Sequence, residues 1–117
     1  MFLQLNHHQF DVYQIARMFV KDCYFLTKSF PPEEKFAIVQ QIRRAALSVY
    51  LNLAEGFSRK SETERKRFFE ISRGSIIEID AALDIATDLA YCKKDDLIQL
   101  GSNLTRTFSM VSKLISH

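Results

Sequence analysis

The residues of this sequence most able to do chemistry are cations. In the stretch "EGFSRKSETERKRFFE", Arg59 and Lys60 are followed by Arg65, Lys66 and Arg67, with Arg73 two turns further on. Guanidinium and ammonium groups at this density suit the phosphates of RNA or DNA, where each neutralised charge adds a salt-sensitive term to binding. The competing expectation is the solvated first turns of a helix, with Glu62 and Glu64 as local partners. Arg65, Lys66 and Arg67 are consecutive, so on a helix they point about 100° apart and form no single stripe. Lys66 and Arg73, seven residues apart, do share a face, and Arg43 and Arg44 add charge from an earlier segment. The run lacks the aromatic interleaving that reads single strands by stacking.

Other reactive side chains point away from catalysis. His7, His8 and His117 lie at the chain ends, where order is usually poor. No Glu-x-x-His pair exists for a di-iron bundle, and Cys and His have no zinc spacing. No metal or other cofactor is expected. Ser48, Ser72 and Ser75 have no histidine near them in sequence, and no glycine-rich loop is present to cradle phosphate. Glu55 and Glu78 fit pairing with Arg43, Arg44 or Arg73 better than acid–base work. These residues argue against an enzyme.

The elements that must position the cations are helical. A chain of 117 residues, 47% hydrophobic and with only three glycines and two prolines, has the size of one domain and little material for hairpins. No apolar run approaches the roughly 20 residues of a membrane span. The opening MFLQLNHHQF lacks the charged-then-apolar order of a signal peptide. Two cysteines, Cys23 and Cys92, fit a reducing cytoplasm. The net charge of +2 is unevenly spread: residues 35–73 carry nine Lys/Arg against four Glu, while the remainder is net acidic.

Helical spacing predicts four helices, at about 9–29, 32–55, 61–91 and 94–116. In the first, Val12, Ile15, Ala16, Phe19, Val20, Cys23 and Leu26 share one arc, so Cys23 reads as a packed thiol. Pro32 suits the opening turn of the second, and Gly56 suits a left-handed cap after it. The apolar residues of that helix, from Phe36 to Ala54, cover about half its circumference, more than one core needs, and predict a second buried contact with another subunit. Ser61 and Glu64 have the form of a capping box. The third helix puts Phe68, Ile71, Ser75, Ile79, Ala82, Leu83, Ala86 and Leu89 on its core face. Gly74 in mid-helix costs about 1 kcal/mol against alanine, for which close helix approach is the natural compensation. In the fourth, Leu97, Leu100, Leu104, Phe108, Val111 and Leu114 or Ile115 recur in threes and fours. Short connections make an all-α, antiparallel up-down-up-down four-helix bundle spanning residues 1–117 as one domain.

Asp80, Asp84 and Asp88 stack at i, i+4 and i+8 late in the third helix, whose early turns are basic. A helix dipole rewards the reverse order. The basic end therefore contacts phosphates, or it meets the acidic stretch of another subunit.

Phe30-Pro31-x-Glu33-Glu34, Gln41-Ile42-Arg43-Arg44-Ala45-Ala46-x-Ser48, Asn52-x-Ala54-Glu55-Gly56 and Gly74-Ser75-x-x-Glu78 form a joined pattern. It resembles the four-helix-bundle proteins encoded in intervening sequences of bacterial large-subunit ribosomal RNA genes, a family that includes the accessory variability proteins of diversity-generating retroelements. The resemblance implies a cytoplasmic bundle assembled as a ring-like homopentamer, without catalysis, with nucleic acid or a nucleic-acid enzyme as partner. The chain departs from the family pattern at Tyr50, where a small residue or proline usually stands. Mapped onto the motif, Arg43, Arg44, Asn52, Glu55 and Glu78 are expected to form a structural polar network that fixes subunit register. The expected function is a homo-oligomer binding RNA or DNA through Arg59, Lys60, Arg65, Lys66, Arg67 and Arg73. The alternative is a scaffold whose charges serve subunit assembly or a protein partner.

Overall fold

Apolar residues spaced in threes and fours give each helix one buried stripe, and four such stripes close on each other. The computed structural model describes residues 2–116, in which α1 (Asp11–Thr27), α2 (Ile38–Ser58), α3 (Glu62–Asp88) and α4 (Ile98–Ile115) form an antiparallel four-helix bundle. Each helix packs against two others: α1 on α2 and α4, and α3 on α2 and α4. Phe19, Ile42, Val49, Leu53, Ile76, Ile79 and Val111 are fully buried at the centre of one continuous core.

The α2–α3 pair is the most extensive, because small residues let the two backbones approach. Ser72 Oγ donates to Val49 O at 2.9 Å, and Ser75 Oγ donates to Ser48 Oγ at 2.8 Å. Gly56 completes this seam. It lies inside α2, which continues to Ser58, and its φ is negative. A Cβ there would stand 2.5 Å from Cε1 and 2.8 Å from Cδ1 of Phe69. The glycine expected as a left-handed cap therefore serves close packing. Gly74 shows the opposite correction: a Cβ there meets nothing within 4 Å, so no helix of the same chain approaches it.

Helix ends also differ from the expected bounds. Pro32–Glu34 forms a 3-10 turn, the backbone breaks at Ala37, and α2 proper starts six residues after Pro32. Phe36, expected on the apolar face, is left 82% exposed. At the end of α3 Ala90 takes φ 62°, with Tyr91 N–H donating to Ala86 O and Ala90 N–H to Thr87 O, both at 2.9 Å. This pair of hydrogen bonds closes a left-handed C-terminal cap and stops α3 at Asp88 rather than Tyr91. Lys94–Leu97 is a separate 3-10 turn before α4, and α1 ends two residues before Ser29.

The buried face of α3 is rotated from its expected position. Early in the helix Phe69, Ser72 and Ile76 point inward in place of Phe68 and Ile71. Leu89 lies exposed just past the helix end, and Ser75, Ile79, Leu83 and Ala86 stay in the core with Ala82 partly buried against it. Placing Phe69 against Gly56 selects this rotation, since Phe68 on the same side would lose that slot. In α4 the innermost positions include two polar residues, Asn103 and Thr107. Both are bonded: Asn103 Nδ2 donates to Asp22 Oδ2 at 2.7 Å, and Thr107 Oγ1 to Asn103 O at 2.7 Å. Leu104, Phe108, Leu114 and Ile115 flank them, partly buried. Tyr50, the departure from the family pattern, stacks on Tyr13 with centroids 4.5 Å apart, so its bulk is taken up within the chain.

Candidate nucleic-acid interface

Three residues, Arg59 to Lys60 to Ser61, turn the chain from α2 into α3. Ser61 Oγ accepts from Glu64 N–H at 3.1 Å, the forward half of the expected capping box, and so starts α3 beside the end of α2. The cations around this turn fall into two groups.

Arg59 and Arg73 are held by their own chain. Arg59 Nη2 pairs with Glu55 Oε2 at 2.9 Å, and its guanidinium lies 4.9 Å over the Phe68 ring. Arg73 Nε donates to Ser112 Oγ at 3.0 Å and its guanidinium lies 4.6 Å over Phe108, on the α3–α4 side. Lys60, Arg65 and Lys66 instead line a groove of about 800 Å³ at the turn. Arg65 uses Nε to donate to Arg59 O at 2.7 Å, which braces the turn. Lys66 Nζ is 3.4 Å from Glu62 Oε1, a surface pair worth at most about 1 kcal/mol. Lys60 and Arg67 are exposed and have no hydrogen bond or ion pair among the described residues. The groove thus carries three cations against one carboxylate, Glu62.

The groove is also lined by aromatic residues, which the linear sequence does not bring together. The N-terminal 3-10 turn, Asn6–Gln9, folds over the end of α2 and delivers His7 and Phe10 to Phe57 and Phe69. His7 stacks on Phe57 with centroids 5.7 Å apart, and Phe57 packs edge-on against both Phe10 at 5.2 Å and Phe69 at 5.0 Å. His7 is only 7% exposed. Burial, and then the neighbouring His8 charge, hold its imidazole below the ordinary 6.5. Burial followed by the Tyr50 hydroxyl pushes Tyr13, edge-on to His7, up to about 12.

The sign of the His7 shift gives a test. The unfolded chain binds a proton on His7 more tightly than the folded one, so this contribution to stability is complete above pH 6.5. It falls as pH drops from 6.5 through the lowered folded value. The imidazole resonances of His7 should titrate with a midpoint below 6.5, and His7→Ala should reduce the fall in thermal midpoint between pH 7 and pH 5. A His7 midpoint at or above 6.5 would contradict its burial.

The five residues expected as a polar network occupy separate places. Arg43 donates to Thr27 Oγ1 at 2.8 Å and to Tyr24 O at 3.3 Å, tying α2 to α1. Asn52 Nδ2 donates to Ser48 O at 2.8 Å, Glu55 pairs with Arg59, and Glu78 accepts from Gln41 Nε2. Arg44 is exposed. Within one chain no two of these five bond to each other. A polar contact between α1 and α4 that spacing alone did not mark joins Asp22 to Gln99 and Asn103.

Cys23 is fully buried, and burial together with Asp22 pushes its thiol up to about 12, so it is an inert packed group. Cys23 and Cys92 are both free thiols. Among the described residues no cluster of His, Cys, Asp or Glu is placed to hold a metal ion, and no helix is long and apolar enough to cross a membrane. His117 lies outside the described residues.

The family model for the 23S rRNA-intervening sequence protein matches residues 8–113. The chain belongs to this family. As a 23S rRNA-intervening sequence protein it has all six cations and Phe10, Phe57 and Phe69 inside the matched span, while His7 lies just before it. A solved structure from Bacteroides thetaiotaomicron, described as a protein of unknown function from the S23 ribosomal protein family, has the same fold. Its TM-score is 0.80 at 16% identity, over 91% of this chain and 99% of that one. Comparison with curated proteins finds no match.

Proposed function

We propose that this intervening-sequence family member is a non-enzymatic, cytoplasmic homo-oligomer that binds RNA or DNA through phosphate contacts at the α2–α3 turn. The observation that carries the reading is the grouping of Lys60, Arg65 and Lys66 along one groove, with Glu62 as the one carboxylate in its lining; Arg67 is exposed on the same turn of α3, outside that lining. Arg59 and Arg73 lie outside the groove lining and are engaged by Glu55 and Ser112.

Self-association has its own support. Leu47 and Leu51 on α2 and Ile71 and Ile85 on α3 are exposed, an apolar surplus that one bundle does not bury. A second copy would cover it, and the sequence resemblance implies five. Under the alternative reading, a scaffold, the exposed acids Asp80, Asp84 and Asp88 would meet the basic turn of a neighbour.

Titration of a labelled single-stranded RNA and a duplex DNA at about 50 and 200 mM salt tests the reading. Four phosphate contacts predict a loss of about 50- to 150-fold in affinity across that range. Light scattering on the same sample should give a multiple of 13.6 kDa. Absence of binding at the lower salt, with a clean oligomer mass, would assign the charges to assembly.

A further inference from the structure

We propose that the groove at the α2–α3 turn seats an unpaired base of a single-stranded nucleic acid, with its phosphates on Lys60, Arg65 and Lys66. This rests on the nucleic-acid reading above and narrows it to one class of occupant. Phe10 carries the argument. It is anchored edge-on against Phe57 at 5.2 Å, yet 45% of it remains open to solvent. Phe25 and Phe36 are more exposed, but Phe10 is the exposed ring that lines the groove alongside the cations, fixed on one side by Phe57 and open on the other.

A base offers an apolar face to such a ring and an anionic linkage to the cations at the same time. Stacking of this kind tolerates any base, because each has a π-face, and adds to the backbone attraction. The groove volume of about 800 Å³ falls within the range that holds small organic groups. Asn6, exposed on the same rim, has an amide with both donors and an acceptor for a base edge. In a duplex both faces of each base are covered by neighbours, so a paired base reaches Phe10 only by being extruded, at a cost. The groove should therefore favour single strands over duplexes of equal length.

Three probes at about 50 mM salt test this: a labelled oligothymidylate, an abasic strand of the same length, and a duplex. The wild-type protein should bind the oligothymidylate about five- to thirtyfold more tightly than the abasic strand, the lower part of the range for one stacked base. Phe10→Ala should erase that preference and leave abasic-strand binding unchanged. Phe10→Trp should restore it. The chain has no other tryptophan, so the single indole should be quenched by the oligothymidylate and not by the duplex. This second readout needs only that the tryptophan variant fold, which its melting curve checks.

Equal affinity for abasic and base-bearing strands, or a preference that survives Phe10→Ala, would remove the base seat while the backbone reading stands. Displacement of the strand by polyglutamate as readily as by unlabelled oligothymidylate would overturn it in favour of an acidic protein segment. Failure of all three probes to bind would remove both readings together.

Discussion

Changing Lys60, Arg65 and Lys66 together to glutamate is expected to lower nucleic-acid affinity at least a hundredfold at about 50 mM salt and to flatten its salt dependence. The three side chains line one groove, so the substitutions replace three attractive contacts by three repulsive ones at a single place. The fold should survive. Lys66 loses only a surface pair with Glu62, and Arg65 loses one bond to the Arg59 carbonyl, together about 1–2 kcal/mol. Arg73→Gln is the informative control. Its guanidinium is already bonded to Ser112 and stacked over Phe108, so the change should lower the thermal midpoint slightly and affinity by less than threefold. A folded triple variant that binds like the wild type would eliminate this surface.

Gly56→Ala is expected to destabilise the bundle and Gly74→Ala to stabilise it, although both glycines lie inside helices. At Gly56 a methyl group would sit 2.5 Å from a ring carbon of Phe69, itself buried and packed against Phe57. The ring or the α2–α3 spacing must shift, an overpacking cost of about 1–3 kcal/mol after the helix-propensity gain is offset. Leucine at that position should prevent stable folding. At Gly74 the added methyl meets nothing, and the helix-propensity gain of about 1 kcal/mol stands alone. Thermal melts should show a fall of several degrees for the first and a rise of a few degrees for the second. An unchanged or raised midpoint for Gly56→Ala would refute the close packing. A lowered midpoint for Gly74→Ala, together with a reduced oligomer mass, would place a second copy against α3 there.

The contrast between these glycines shows where local reading stops. Spacing assigns Gly56 to a cap and Gly74 to close approach; both lie inside helices at equal propensity cost, and the neighbouring helix gives the close approach to Gly56 instead. The same holds for the cations: neither type nor spacing marks which of Arg59, Lys60, Lys66 and Arg73 the chain itself ties down. Glu55, Phe68, Ser112 and Phe108 tie down Arg59 and Arg73, and Lys66 keeps only its weak pair with Glu62. The aromatic lining was illegible for a related reason. His7 and Phe10 are some fifty residues before Phe57, and nothing in their spacing relates them.

The sequence by itself determined that four helices form, roughly where they lie, that short turns make them antiparallel, that Cys23 is packed, and that Ser61 caps α3. Each of these depends on residues within a few positions of one another, through the 3.6-residue period, proline geometry and end capping. Tertiary structure decided the rotation of α3, the role of Gly56, the scattering of Arg43, Asn52, Glu55 and Glu78 among separate partners, and the groove that joins Phe10 to Lys60. Those outcomes depend on which side chains fill the space between helices, and steric fit between distant segments leaves no periodic mark on the chain.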